Sequence, residues 1–153
     1  MNRDLVALDQ PEAFVALLCA RVEVREGRLV FANAGLTPPQ LRRRDGAWEE
    51  PGEGGVLLGV RPGGAYADTE VALDAGDIVV LHTDGLTEAR RGDELFGAAR
   101  LREVLDGHWR CDAAEIVRAL LSAAQAFADH PLDDMTVVVL KQLGRPARAG
   151  RRS

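Results

Sequence analysis

The chain sets short apolar runs between short polar, glycine-rich breaks. The spacing of its hydrophobic positions predicts strands early and helices late. Phe14 to Val24 reads as a long strand. It is apolar up to Cys19, then alternates, with Val22 and Val24 against Arg21 and Glu23. Glu26-Gly27 is a hairpin turn, and "RLVFA", Arg28 to Ala32, returns from it. "NAGLTPPQ" is loop sequence. "QLRRR" after it reads as a short strand closed by the turn Asp45-Gly46. "EEPGEGG" is a second loop, leading into the brief apolar segment "VLLGV". Tyr66 to Leu73 alternates Tyr66, Asp68 and Glu70 against Ala67, Thr69 and Val71, the period of a strand. "DAGD" then turns the chain into Ile78 to Thr83, whose composition is that of a strand covered on both faces.

Helical periodicity comes mostly later. Asn2 to Asp9 reads as the last turns of a helix stopped near Pro11, and Arg100 to Leu105 as a short helix. Asp112 is a good N-cap, with Glu115 three residues on completing the capping-box pattern. From there Ile116, Val117, Leu120, Leu121, Ala124 and Phe127 recur at helical spacing, so one face packs on a sheet. "DHPLDD" ends that helix, and Met135 to Leu140, "MTVVVL", is another buried strand. Strands in hairpins with helices late in the chain make an α+β pattern rather than βαβ repetition. There are no internal repeats.

A length of 153 residues fits one domain with a real hydrophobic core. The formal net charge is -5, and the last twelve residues carry Arg145, Arg148, Arg151 and Arg152 with no acid. Taking that +4 away from -5 leaves -9 for the body. An acidic body argues against nucleic-acid binding and suits a protein that collects cations. Residues 142–153 read as a basic, disordered tail behind a single domain spanning 1–141. Cys19 and Cys111 form no C-x-x-C pair, there is no basic n-region, and no apolar run is long enough to span a bilayer. These features predict a cytoplasmic domain without a membrane partner.

The chemistry concentrates at two strand ends. Asp84 sits at the exit of one buried strand, and Asp133 and Asp134 at the entrance of the next. If those strands are antiparallel neighbours, the carboxylates converge; if parallel, they lie a strand length apart, about 20 Å. Converging carboxylates with no basic partner require either a raised pKa or a cation between them. Oxygen-only ligands suit Mg²⁺ or Mn²⁺. The alternative is that "DG" is only a turn and "DD" only a solvated loop. "TDG" is also part of the dehalogenase-type nucleophile motif D-x-D-G-T, but His82 stands at the nucleophile position and cannot form an aspartyl phosphate.

The remaining candidates carry less. His82, His108 and His130 have no ligand spacing; His82 reads as a hydrogen-bonded core residue and the other two as loop residues. Ser122 and Ser153 have no base partner, and no phosphate loop ends in Lys-Ser/Thr. Arg42, Arg43 and Arg44 read as an exposed strand face, with a phosphopeptide contact as the alternative.

Several segments, taken in order, resemble the SpoIIE/RsbU group of bacterial PPM-type protein phosphatases. "FANAGLTPPQLRRRDG" is similar to the segment built on N-A-G-H-P-P. "LLGV", "VALDAGDIVVLHTDGLTEAR", "LFGAARLREVL" and "LDDMTVVVL" follow in the family's order, from Asn2 to Lys141. The resemblance implies an αββα four-layer sandwich with two central antiparallel sheets. It implies a two-metal Mg²⁺ or Mn²⁺ centre whose activated water attacks a phosphoserine or phosphothreonine. Asp84 and Asp133 are then metal ligands. Gly85 and Asp134 stand beside them, Asp134 supporting the site or holding a metal-bound water. The implied partner is a phosphoprotein of a bacterial signalling switch, typically an anti-sigma-factor antagonist.

The resemblance also implies an N-terminally truncated domain. The family's earlier motif, G-D-x-x-G-H-G, supplies an Asp that bridges both metals. "MNRDL" is similar to the end of the long helix that follows that motif. Leu36 stands where N-A-G-H-P-P has its His. Early strands of the sheets are then missing, which leaves an unpaired edge open to self-association and an uncovered face. Three arrangements fit: a longer natural protein, a second chain supplying the other half, or a catalytically silent interaction module with the phosphatase fold.

Overall fold

The fold was analysed as a computed structural model, which describes residues 1–6, 14–130 and 133–144. Two antiparallel sheets lie face to face, and helices cover the outer face of the second. The first sheet is built on the hairpin of β1 (Leu17–Glu23) and β2 (Arg28–Ala34), with β5 (Thr69–Ala72) on the other side of β2. Its register runs from Glu23 opposite Arg28 to Leu17 opposite Ala34. Alternation sends Leu29, Phe31 and Val71 inward. The other face carries a charge ladder in which Arg28 bridges Glu23 and Glu70, and Arg21 also pairs with Glu23.

The second sheet has the order β4 (Trp48–Glu49), β3 (Gln40–Arg42), β6 (Ile78–His82), β9 (Val137–Lys141), antiparallel throughout. β6 is central and covered on both faces, which explains its unbroken apolar run. Val79 joins Leu41, Leu29 and Phe31 between the sheets, while Ile78 and Val80 face the helices. There they meet Leu101 and Leu105 of α3 (Gly97–His108) and Ile116, Leu120, Ala124 and Phe127 of α4 (Ala113–Phe127). The capping box forms as the sequence predicts: Asp112 accepts from the Glu115 amide at 2.7 Å and Glu115 accepts from the Asp112 amide at 3.0 Å.

Several boundaries move. The first strand begins at Leu17 rather than Phe14, with Val15 held only by an isolated bridge to Leu58. The strand expected over Tyr66 to Leu73 shortens to Thr69–Ala72. α1 spans Asn2–Val6, and the rest of that expected helix lies outside the described residues, as does the tail from 145 onward. α3 extends to His108, which is therefore a helix-end residue and not a loop residue; its ring nitrogen meets the Val104 carbonyl one turn back, at 2.8 Å. Three further elements escaped the periodicity reading: β4, whose Glu49 was expected in a loop, the single turn α2 (Asp84–Thr87) and the tiny hairpin β7 (Arg90–Arg91) and β8 (Glu94–Leu95). Gly92 turns that hairpin with φ 57°, and Asp129 clamps it by accepting from the Gly92 amide at 2.9 Å.

Of the arginine run only Arg44 is exposed as its charge suggests; Arg42 and Arg43 are not. Arg42 is 7% exposed, pairs with Asp106 of α3 at 2.5 Å and lies 5.2 Å from the ring centroid of Trp109. Arg43 bridges Glu49 and the buried Asp77. The Asp77 carboxylate also accepts from the amides of Arg44 and Asp74. A carboxylate 2% exposed is tolerated only with such partners, so these arginines anchor the strand end.

β1 and β9 are both sheet edges. Leu18 of β1 and Val138 of β9 line one cavity, so the two free edges lie on the same side of the sandwich. Among the described residues no helix is long and apolar enough to cross a membrane.

Candidate metal site

Antiparallel pairing of β6 with β9 places the exit of one strand beside the entrance of the other. His82 is the last β6 residue and faces Val137, the first of β9. Beyond the ladder, the Thr83 amide donates to the Thr136 carbonyl at 3.1 Å. The chain then enters α2 at Asp84, while the opposing chain carries Asp133 and Asp134 just upstream of β9. Of the two geometries left open by the sequence, this is the convergent one.

Gly85 shows how tightly the two loops meet. A Cβ added there would lie 2.5 Å from the Asp134 carbonyl oxygen, a contact that backbone on both sides makes hard to relieve. The glycine is thus set by space rather than by an unusual φ. Asp84, Asp133 and Asp134 are all exposed. One oxygen of Asp84 accepts from the Gly85 amide at 2.9 Å, and one oxygen of Asp133 accepts from the Asp134 amide at 2.8 Å. Among the described residues none of the three pairs with a basic side chain; the ion pairs lie elsewhere.

These are hard oxygen donors without a counter-charge. Mg²⁺ commonly takes one or two carboxylates and completes its octahedron with water and substrate phosphate, so the donor set fits such an ion. It does not enclose one. Among the described residues, no three His, Cys, Asp or Glu side chains group closely enough to hold a metal by themselves.

The walls around the site come from residues that sequence reasoning passed over. Asn33 is 7% exposed, donates to the Leu36 carbonyl at 2.8 Å and accepts from the Leu36 amide at 3.0 Å. This folds the "NAGL" loop around its own side chain. Thr37 donates to the His82 carbonyl at 2.7 Å, tying that loop to the end of β6. Leu36, Thr37, Leu81 and Thr136 line a cavity of about 160 Å³ between the sheets. The usable signal was an Asn two residues before a glycine, a residue able to close its own loop.

His82 behaves as the sequence suggested. It is 7% exposed and its Nδ1 donates to the Thr83 carbonyl at 3.0 Å. Burial pushes its pKa below the ordinary imidazole value, and the Thr83 bond and the Asp84 charge only partly oppose this. Its burial and its bond to the backbone are those of a core residue.

Two stacked antiparallel sheets with flanking helices are an architecture shared with solved PP2C phosphatase domains. The PP2C phosphatase domain of SpoIIE from Bacillus subtilis, solved with a fragment of its regulatory domain, superposes with a TM-score of 0.76 at 22% identity, covering 90% of this chain and 41% of that one. The SiaA PP2C domain of Pseudomonas aeruginosa also gives 0.76, at 23% identity, covering 92% and 57%. The chain belongs to the stage II sporulation protein E (SpoIIE) family, whose model matches residues 1–142. It is 25% identical to the phosphoserine phosphatase RsbU of Bacillus subtilis over 144 residues, which is 93% of this chain but 43% of RsbU. The chain therefore spans less than half the length of that relative.

Gly85→Ala is expected to force the two loops apart and to destabilise the protein by about 1–3 kcal/mol, the usual scale for overpacking. Urea denaturation measures the loss, and amide exchange at Met135 and Thr136 locates it. An unchanged midpoint would show that the loops are not in contact.

Proposed function

We propose that this chain is the C-terminal portion of a metal-dependent protein serine/threonine phosphatase domain, with Asp84 and Asp133 as metal ligands. The carrying observation is the antiparallel β6–β9 pair, which brings two acidic loops without basic partners to one sheet end. Such a pair repels a phosphate dianion unless a cation stands between them. When bound there, Mg²⁺ or Mn²⁺ supplies the charge that acidifies an attacking water and neutralises the phosphoryl oxygens. Asp84 and Asp133 hold the ion, and Asp134 supports them or holds a water on it. Gly85 keeps the two loops within reach of each other. The buried His82 takes no part as a base.

The name of RsbU, a phosphoserine phosphatase, supports a phosphoprotein substrate, and the family resemblance favours an anti-sigma-factor antagonist in the cytoplasm. Residues 1–141 constitute the phosphatase portion and 142–153 its basic tail. A second reading is a catalytically silent interaction module. It is favoured by Leu36 in place of the family's His and by the lack of a closed ligand cage among the described residues.

The free edges of β1 and β9, with Val22 and Val138 almost half exposed, support self-association through added strand pairing. Sedimentation velocity is expected to show a dimer that Val138→Lys dissociates; a wild-type monomer at high concentration would overturn this. Hydrolysis of p-nitrophenyl phosphate by the 153-residue chain tests the catalytic reading. Turnover is expected to require Mn²⁺ and to vanish in Asp84→Asn and in Asp133→Asn. Wild-type protein without turnover would favour the silent module, and turnover that survives in both variants would remove these residues from the site.

A further inference from the structure

Thr83 precedes Asp84, and its hydroxyl is used in an unusual way. The residue is the N-cap of α2, with the extended backbone (φ -84°, ψ 161°) from which threonine normally caps a helix, yet its side chain makes no capping bond. The hydroxyl turns across to the opposing chain instead. Oγ1 accepts from the Thr136 amide at 3.0 Å and lies 3.5 Å from the Asp134 carbonyl oxygen, towards which it donates. The Thr83 backbone completes the connection by donating to the Thr136 carbonyl at 3.1 Å. One residue is therefore bonded, by main chain and side chain, to both ends of the Asp134–Thr136 segment.

We propose that Thr83 is a positioning residue that fixes the spacing between Asp84 and the Asp133–Asp134 loop, and so sets the affinity of the site for its divalent ion. This rests on the metal reading above. Two like-charged loops separate unless something holds them. The register of β6 with β9 ends at His82 and Val137, one residue short of Asp84 on one strand and two short of Asp134 on the other. Thr83 extends the attachment past that point. Its β-branched side chain has a restricted χ1, so the hydroxyl stays aimed at the far strand at little entropic cost. Serine preserves the bond; valine keeps the shape and removes it.

The test uses the 153-residue wild type, Thr83→Val, Thr83→Ser and Asp84→Asn, with Mn²⁺ itself as the probe and free Mn²⁺ read by electron paramagnetic resonance. Groups that orient metal ligands typically change affinity by about 10–100-fold when removed. Thr83→Val is expected to bind Mn²⁺ at least about tenfold more weakly than wild type, with Thr83→Ser close to wild type. Amide exchange in metal-free protein is expected to accelerate at Thr136 in Thr83→Val alone, with the core amides of β6 unchanged. Wild-type affinity retained in Thr83→Val would overturn the inference while leaving the metal reading intact. Equal weakening in Thr83→Ser and Thr83→Val would also overturn it. Wild type that binds no Mn²⁺, or binds it as Asp84→Asn does, would overturn the metal reading and this inference with it.

Discussion

The pairing of β6 with β9 is the constraint on which the rest depends. It aligns Ile78 with Lys141 and His82 with Val137. Because the strands are antiparallel, the residues just past His82 and just before Val137 have to meet. A parallel arrangement of the same two sequences would separate the acids by a strand length. The register is secured by burial. A one-residue slip would move Ile78 and Val80 from the helix-facing core to the inter-sheet core and reverse Val79. Each aliphatic side chain removed from water contributes about 1.5–3 kcal/mol. Two unit charges about 4 Å apart near a protein surface repel by about 4 kcal/mol. Two or three buried side chains thus offset the cost of holding two acidic loops together.

The same logic separates charges that hold the fold from charges left for chemistry. Asp77 is buried and fully engaged by Arg43 and two backbone amides, so it closes the far end of the sandwich. Arg42 is spent on Asp106 and Trp109. Among the described residues, Asp84 and Asp133 each have only a neighbouring amide as partner. The open side of the sandwich follows from topology: β1 and β9 are the last strands on that side, and the cavity lined by Leu18 and Val138 opens between them.

Much of this was legible in the residues. The uninterrupted "IVVL" has the composition of a strand covered on both faces, and Asp112 with Glu115 announced the start of α4. The ordered family segments gave the architecture that the solved PP2C domains share. The misses have physical reasons. α2 and the β7–β8 hairpin are too short to show a period, and both are held by tertiary bonds such as the Asp129 clamp. Arg42 looked solvated because charge marks surface on average, and only packing could reveal its aromatic and acidic partners. The roles of Thr37 and Thr83 arise from bonds across the chain, which no local pattern encodes.

On the proposed function, the β6 exit and the β9 entrance together form a divalent-cation site. The most direct measurement is anomalous scattering from a crystal of the protein soaked in Mn²⁺. The account predicts a difference peak within bonding distance of carboxylate oxygens from both Asp84 and Asp133. A well-occupied peak touching only one of them, or none at this end of the sheet, would contradict it.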